Sequence, residues 1–456
     1  MRNICKIALF ALAGMHLAKP FVGVDLTIPL FVVTVLVFIT GIQIMDKGFR
    51  LITFIFLGIG ILLLFWYDHS FITWAQAANS LTNVVAIVAI MQLFAIPITI
   101  GEYDKAIRYW ISRSSQGEKG LFLLTTTGTH FLTSLLMFGS IPVMISILGN
   151  TLKNCVSHYQ KFIATATSRG YGLAALWAPG AINLFLVMQA TGVAWSSIVL
   201  PGLLLAFIGI FLSYFLEKKL SFASNNEAPI QIDQGNLPRR EARNKIVHLI
   251  VVLASLIAFV VLFDQRNIGA ATNRVMLAVA LVTLLWTILH LSKPSFSETL
   301  RNYWNKDALK TIDLAPFLIA MGLFSGALEQ SGFMIILQYT LQSYVNGLGL
   351  SAVAVIPLAI IATSLVGIHP FITIVMFGKI LTPIELPFSD ISLALCLALG
   401  GSISYIISPF AGVTIAIAKY LDSSIRDVSI RWNWLFVLLY FIVGVLFAYY
   451  WGAWIE

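Results

Sequence analysis

Charge is scarce in this chain. Of 456 residues only 20 are acidic and 28 basic, 11% in all, where a soluble domain carries about 25%. With 59% apolar residues and a mean hydropathy of +0.91, that scarcity excludes an aqueous enzyme, a nucleic-acid binder and a disordered protein. Cysteine is scarce too. Cys5, Cys155 and Cys396 are scattered and form neither a metal-ligand spacing nor a disulfide framework. Neither His-Glu-x-x-His nor Gly-x-Ser-x-Gly occurs, and the longest polar stretch is 218–243. A membrane-embedded enzyme therefore finds no support, and neither a cofactor nor a metal is expected. Period-two alternation is also missing, which excludes a transmembrane barrel.

What the chain has is long apolar runs. A span needs about 20 apolar residues, and simple helices are expected near 5–21, 27–45, 51–67, 79–100, 195–217, 244–263, 272–291, 313–337 and 432–453. Four longer apolar stretches, 120–149, 162–193, 351–386 and 391–420, exceed one span. The start of the chain has the basic-then-apolar form of a signal peptide. No small-residue cleavage site closes the run, so a retained first helix is the preferred reading.

The order of simple helices, two long stretches and one helix occurs twice, which points to an internal repeat. Gly128–Ile141 matches Gly367–Ile380 at six of fourteen positions with an offset of 239. Met91, Leu93 and Phe94 match Met321, Leu323 and Phe324 at an offset of 230, as Gly170, Pro179 and Ala181 match Gly400, Pro409 and Ala411. The expected division is an extra N-terminal helix (1–26), repeat 1 (27–217), a cytoplasmic linker (218–243) and repeat 2 (244–456).

Basic residues test the topology. If 120–149 and 351–386 are re-entrant hairpins and the N-terminus is inside, Lys19, Arg266 and Arg274 fall outside. Arg169, Lys379 and Lys419 lie within apolar stretches. The remaining 22 of 28 are inside, as the positive-inside rule requires. The net charge of +8 is thus mainly a matter of orientation. The fold class expected is an all-α polytopic membrane protein with about eleven transmembrane helices and two hairpins. Five spans per repeat, an odd number, makes the second repeat inverted. The C-terminus then lies outside a cytoplasmic membrane.

Four interruptions pair across the repeats. Thr127-Gly128-Thr129-His130 is the expected tip of the first hairpin, and Gly367, Ile368 and His369 form that of the second. Pro179, Gly180 and Asn183 break stretch 162–193. Ser408, Pro409, Ala411, Gly412 and, just beyond, Thr414 break stretch 391–420. Proline removes a helical hydrogen bond, and irregular backbone at membrane depth persists only where it lines protein or a cavity. Broken helices in inverted repeats are the architecture of secondary transporters. These fifteen residues are the candidate solute- or ion-binding set.

At this point the chain resembles the ion transporter superfamily, whose members include divalent anion–sodium symporters, citrate carriers, arsenite permeases and related sodium/proton antiporters. Three segments carry the resemblance: Asp313 to Gly332, ending Leu-Glu-Gln-Ser-Gly; Leu399 to Val413, with its Gly-Gly lead into a break; and Trp177-Ala-Pro-Gly-Ala-Ile-Asn183. It covers about residues 27–453. It implies two inverted five-helix repeats, a coupling ion and a homodimeric scaffold. The family's hairpin tips often read Ser-Asn-Thr or Asp-Asn, whereas the tips expected here carry Gly-Thr-His and Gly-Ile-His.

Acids are almost absent from the expected core. Glu329 sits near a helix end, and Asp25, Asp68, Asp264 and Asp390 near surfaces. A sodium/proton antiporter needs a buried acid. His130 and His369 are the ionisable candidates for proton coupling, or for donating to an anionic solute. The alternative is that each only caps a hairpin arm. Arg169 and Lys419 are expected to snorkel. Three embedded cations without core acids tilt the expectation toward an anion. Trp66, Trp110, Trp432, Trp434, Trp451 and Trp454 read as an interfacial belt. The reading is a secondary carrier of a small anionic solute, driven by protons or sodium, with the bilayer and no nucleic acid as its surroundings. Cation/proton exchange, metalloid efflux and a membrane subunit of a larger transport system are the alternatives.

Overall fold

The computed structural model describes residues 1–67, 70–112, 117–152, 156, 158–220, 237–310, 312–348 and 351–455. Among them there is no strand. Helices α1 (Arg2–Ala18), α2 (Thr27–Ile42) and α3 (Lys47–Tyr67) open the chain. A bent run of α4 (Phe71–Asn79), α5 (Thr82–Met91) and α6 (Ala95–Gly101) follows, then α7 (Tyr103–Ser112). Next come α8 (Gly117–Leu136), α9 (Ser140–Leu152), α10 (Tyr159–Ala174), α11 (Ile182–Thr191) and α12 (Trp195–Leu220). The second half holds α13 (Arg239–Gln265), α14 (Ala271–Ile288), α15 (Phe296–Asn302), α16 (Leu314–Gln330) and α17 (Phe333–Leu348). It ends with α18 (Ala352–Leu365), α19 (Pro370–Leu381), α20 (Asp390–Ile407), α21 (Gly412–Leu421) and α22 (Trp434–Ile455). Most of the linker expected over 218–243 lies outside the described residues, as do Cys155 and Asp68.

Among the described residues eight helices are long and apolar enough to cross a membrane, and nine with the bent pair α16–α17. Of the eleven spans expected from sequence, the other two are α2, which has only 16 helical residues, and the α10–α11 stretch, which is built in two short pieces. The helix expected over 313–337 turns by 76° at Ser331–Gly332. Gly332 has a φ of +69°, a left-handed value that suits glycine.

The chain packs as two compact units. The first comprises residues 1–100, 258–348 and 379–386. Its centre is α16, whose small residues let neighbouring backbones approach closely. Gly326 faces the Cα of Ala77, and Gly60 of α3 faces the backbone of Phe324. Leu64, Ala77, Ala78, Leu323 and Ala327 form its apolar core. Lys379 pairs with Glu329 at 2.7 Å and donates to Ser80 Oγ at 3.3 Å.

The second unit comprises residues 101–257, 349–378 and 387–456. It contains both hairpins and both broken spans. Helix α20 is its axis, with sixteen of eighteen residues buried. It starts at Ser389, whose hydroxyl accepts from the Ser392 N–H. Gly170 of α10 lies against the Thr126 carbonyl of α8, and Gly401 of α20 against Asn183 of α11. Each unit thus draws on both repeats.

One offset relates the backbone landmarks of the two halves. The left-handed residues Glu102 and Gly332, Met137 and Gly367, and Gly192 and Asp422 are each 230 residues apart. So are the starts of α7 and α17, α9 and α19, and α11 and α21. The 239-residue match over Gly128–Ile141 is therefore a coincidence of apolar composition.

Candidate functional site

The second hairpin turns at Val366–His369, between α18 and α19. Gly367, with a φ of +96°, makes the turn, and Pro370 opens α19, where its missing N–H costs nothing. The first hairpin turns elsewhere than the sequence suggested. Thr127, Gly128, Thr129 and His130 lie inside α8, which runs unbroken from Gly117 to Leu136. The turn is Met137–Gly139, with Met137 at a φ of +48°. A lone glycine in an apolar helix does not break it, because the chain has no other way to satisfy its amides in hydrocarbon.

At the common offset the two turns are led by the same dipeptide, Thr133-Ser134 and Thr363-Ser364. Sequence reading missed all four residues, although a single 230-residue register would have found them. Ser134 Oγ donates to the Phe131 carbonyl at 2.7 Å, and Ser364 Oγ to that of Ile361 at 2.8 Å. In the first turn Ser140 Oγ also meets Thr133 Oγ1 at 2.8 Å and donates to the Met137 carbonyl at 2.7 Å.

Each hairpin is tied to the broken span that follows it. In repeat 1 the Trp177 indole donates to His130 Nε2 at 3.0 Å, which makes Nδ1 the protonated nitrogen of a neutral ring. In repeat 2 Ser408 Oγ donates to the Ser364 carbonyl at 2.7 Å, and the Phe410 ring lies against Gly367. Thr414 Oγ1 donates back across the break to the Tyr405 carbonyl at 3.3 Å.

The two broken spans also grip each other. Asn183, in the first turn of α11, donates through Nδ2 to the Ala398 carbonyl at 3.1 Å and to the Ala175 carbonyl at 3.4 Å. Its Oδ1 is buried with no partner among the described residues. Ser402 Oγ donates to the Gly172 carbonyl at 2.6 Å. Gly172 and Ser402 are themselves 230 apart, and equivalent residues touch only at the axis relating two repeats.

The two halves differ in access. Pro179, Gly180, Ala181 and Asn183 are buried, as is His130. Around the second turn Val366 is 74% exposed and Phe410 56%, and Ile368 and Gly412 are exposed as well. His369 is half-buried there. Its ring packs on Phe371 at 4.3 Å, and Nδ1 accepts from the Phe371 N–H at 3.3 Å. Pro409 is half-buried, and Ala411, Ser408 and Thr414 are buried.

The expectation of unmatched core cations is corrected. Arg169 does not snorkel: it is wholly buried and pairs with Glu217 at 2.9 Å. It also donates to Asn433 Oδ1, Ser213 Oγ and the Trp432 carbonyl. Lys379 has Glu329. Lys419 alone of the three is exposed. The anion argument built on these cations does not stand.

No protein-family model matches the chain, and no curated protein sequence matches it. Among solved structures the chain is similar to the YdaH transporter of Alcanivorax borkumensis, a protein of unusual topology. The two share 12% identity over 87% of this chain and 98% of that one, with a TM-score of 0.59. At that identity the likeness establishes a fold, that of a polytopic membrane transporter.

Proposed function

We infer that the chain is a secondary active transporter of a small anionic solute, of the ion transporter type, coupled to a proton or sodium gradient. The observation that carries this reading is the pairing of helix interruptions at one offset, two turns and two breaks within one unit. Four helices, α9, α11, α19 and α21, begin at these interruptions. Their first-turn N–H groups have no partner within the helix, and the helix dipole favours a negative group there. That replaces the embedded cations as the support for an anion. The acids Glu217 and Glu329 are each held by a basic group, which leaves them poorly suited to exchanging ions. The likeness to a transporter supports transport in general and not the solute.

His369, at the accessible turn, is the better placed of the two histidines for a coupling proton. His130 serves as a buried post for Trp177. The protein would sit in a cytoplasmic membrane as a homodimer, N-terminus inside and C-terminus outside. The test is uptake of labelled organic acids and inorganic anions into proteoliposomes under imposed pH or sodium gradients. Ser364→Ala should retain folding and lose at least about tenfold in rate, the scale of a lost charge-assisted hydrogen bond. His369→Gln should flatten the pH profile. No flux of any anion under either gradient, from protein that is folded by its thermal transition, would sink the reading.

A further inference from the structure

Helices α7, α8 and α13 enclose a groove in the second unit, lined on α8 by Thr127 and Gly128, which were expected at a hairpin tip and lie instead inside the helix, away from both turns. Its volume is about 390 Å³, within the ~300–1,000 Å³ of small-molecule pockets. Its walls are apolar: Trp110 of α7, Gly128 and Phe131 of α8, and Ile246, Ile250 and Leu253 of α13. It reaches the protein surface, where Phe131 and Ile250 are exposed. The other face of α8 carries Thr129 and His130, buried beside Gly170 of α10, so the groove lies behind the candidate site.

One end of the groove is basic. Ile246, Ile250 and Leu253 share a face of α13 by their spacing. Arg243 and Arg239, three and seven residues before Ile246, continue that face and are exposed. Neither is in a salt bridge among the described residues. Ala106 and Tyr109 of α7 pack on Ala242, with Trp110 and Ile246 beside them, so the arginines stand at the Trp110 end. A tryptophan next to basic residues marks a membrane interface.

An acyl chain outside the groove is already in hydrocarbon. The groove therefore offers it packing, with no transfer from water. Selection falls to the headgroup, and basic pockets between helices recognise anionic lipid. We propose that this groove binds an anionic phospholipid, its acyl chain along Gly128 and Phe131 and its phosphate at Arg239 and Arg243. The site is independent of the solute and of the coupling ion.

The test uses the full chain in phosphatidylcholine bilayers, with phosphatidylglycerol or phosphatidylcholine bearing brominated acyl chains as quencher. The chain has 11 tryptophans, so the Trp110 signal is the difference between the protein and its Trp110→Phe variant. Brominated phosphatidylglycerol should quench Trp110 at about tenfold lower mole fraction than brominated phosphatidylcholine, the order expected of two basic residues at a charged surface. The double variant Arg239→Gln/Arg243→Gln should remove that preference and leave the phosphatidylcholine curve unchanged. Gly128→Leu should weaken quenching by both lipids. Gly128→Ala, whose Cβ meets only Met144 at 3.7 Å, should not. Equal quenching by the two lipids overturns the proposal, as does a preference that survives loss of both arginines. Full quenching in Gly128→Leu overturns the placement of the chain.

Discussion

Arg169 is 0% exposed, and its guanidinium is satisfied by Asn433, Ser213, Glu217 and the Trp432 carbonyl while lying 4.7 Å over the Phe436 ring. Lys161 also approaches Glu217, at 3.6 Å. Removing one partner of a buried pair strands the other charge and costs about 3–5 kcal/mol. Glu217→Ala should destabilise the protein by that order, read as a lower melting temperature of the full chain in detergent. Glu217→Gln keeps an acceptor and should lose less. A Glu217→Ala protein as stable as its parent would show that the pair does not hold this region. None of this was legible in the sequence. Glu217 closes an apolar run just before Lys218 and Lys219, where an acid reads as surface, and its partner is 48 residues away on another helix. Burial of a charge depends on what a distant segment brings to it, and no local pattern records that.

Elements were legible where the bilayer dictates them. Continuous apolar runs locate α3, α12, α13, α14 and α22, because a span must satisfy its own backbone. The second turn announced itself through Gly367 and Pro370, residues with a backbone preference. The first is made by Met137, a residue with none, and Gly128 drew attention nine residues too early. Close packing between elements was equally silent. A Cβ added at Gly401 would collide with Asn183 Oδ1 and lie 2.8 Å from Ile374 Cδ1. Overpacking of this kind costs about 1–3 kcal/mol, so Gly401→Ala should lower the melting temperature. If the clash is with Asn183, Gly401→Ala with Asn183→Ala should be more stable than the sum of the single changes by about 0.5–3 kcal/mol. Strict additivity would place the strain elsewhere, at Ile374.

At the scale of the whole molecule the repeat is the organising fact, and its register comes from backbone landmarks more securely than from residue identity. Sequence matching found blocks at both 230 and 239, since an apolar chain aligns with itself easily; positive φ values and helix starts choose 230. What the repeat does across a membrane is a separate matter, and the expectation from the basic residues is that the second repeat is inverted. If each repeat crosses the membrane five times, residues 230 apart should face opposite compartments. Ala194 and Ser424 are such a pair, each just after the left-handed residue that ends its broken span, Gly192 or Asp422. Single cysteines at these positions, in a background without Cys5, Cys155 and Cys396, should react with a membrane-impermeant maleimide from opposite sides. In right-side-out vesicles position 194 should label directly and position 424 only after permeabilisation. Inside-out vesicles should reverse the order. Labelling of both from one side would make the repeats parallel, and the anion site would then have to be sought on an axis along the membrane normal.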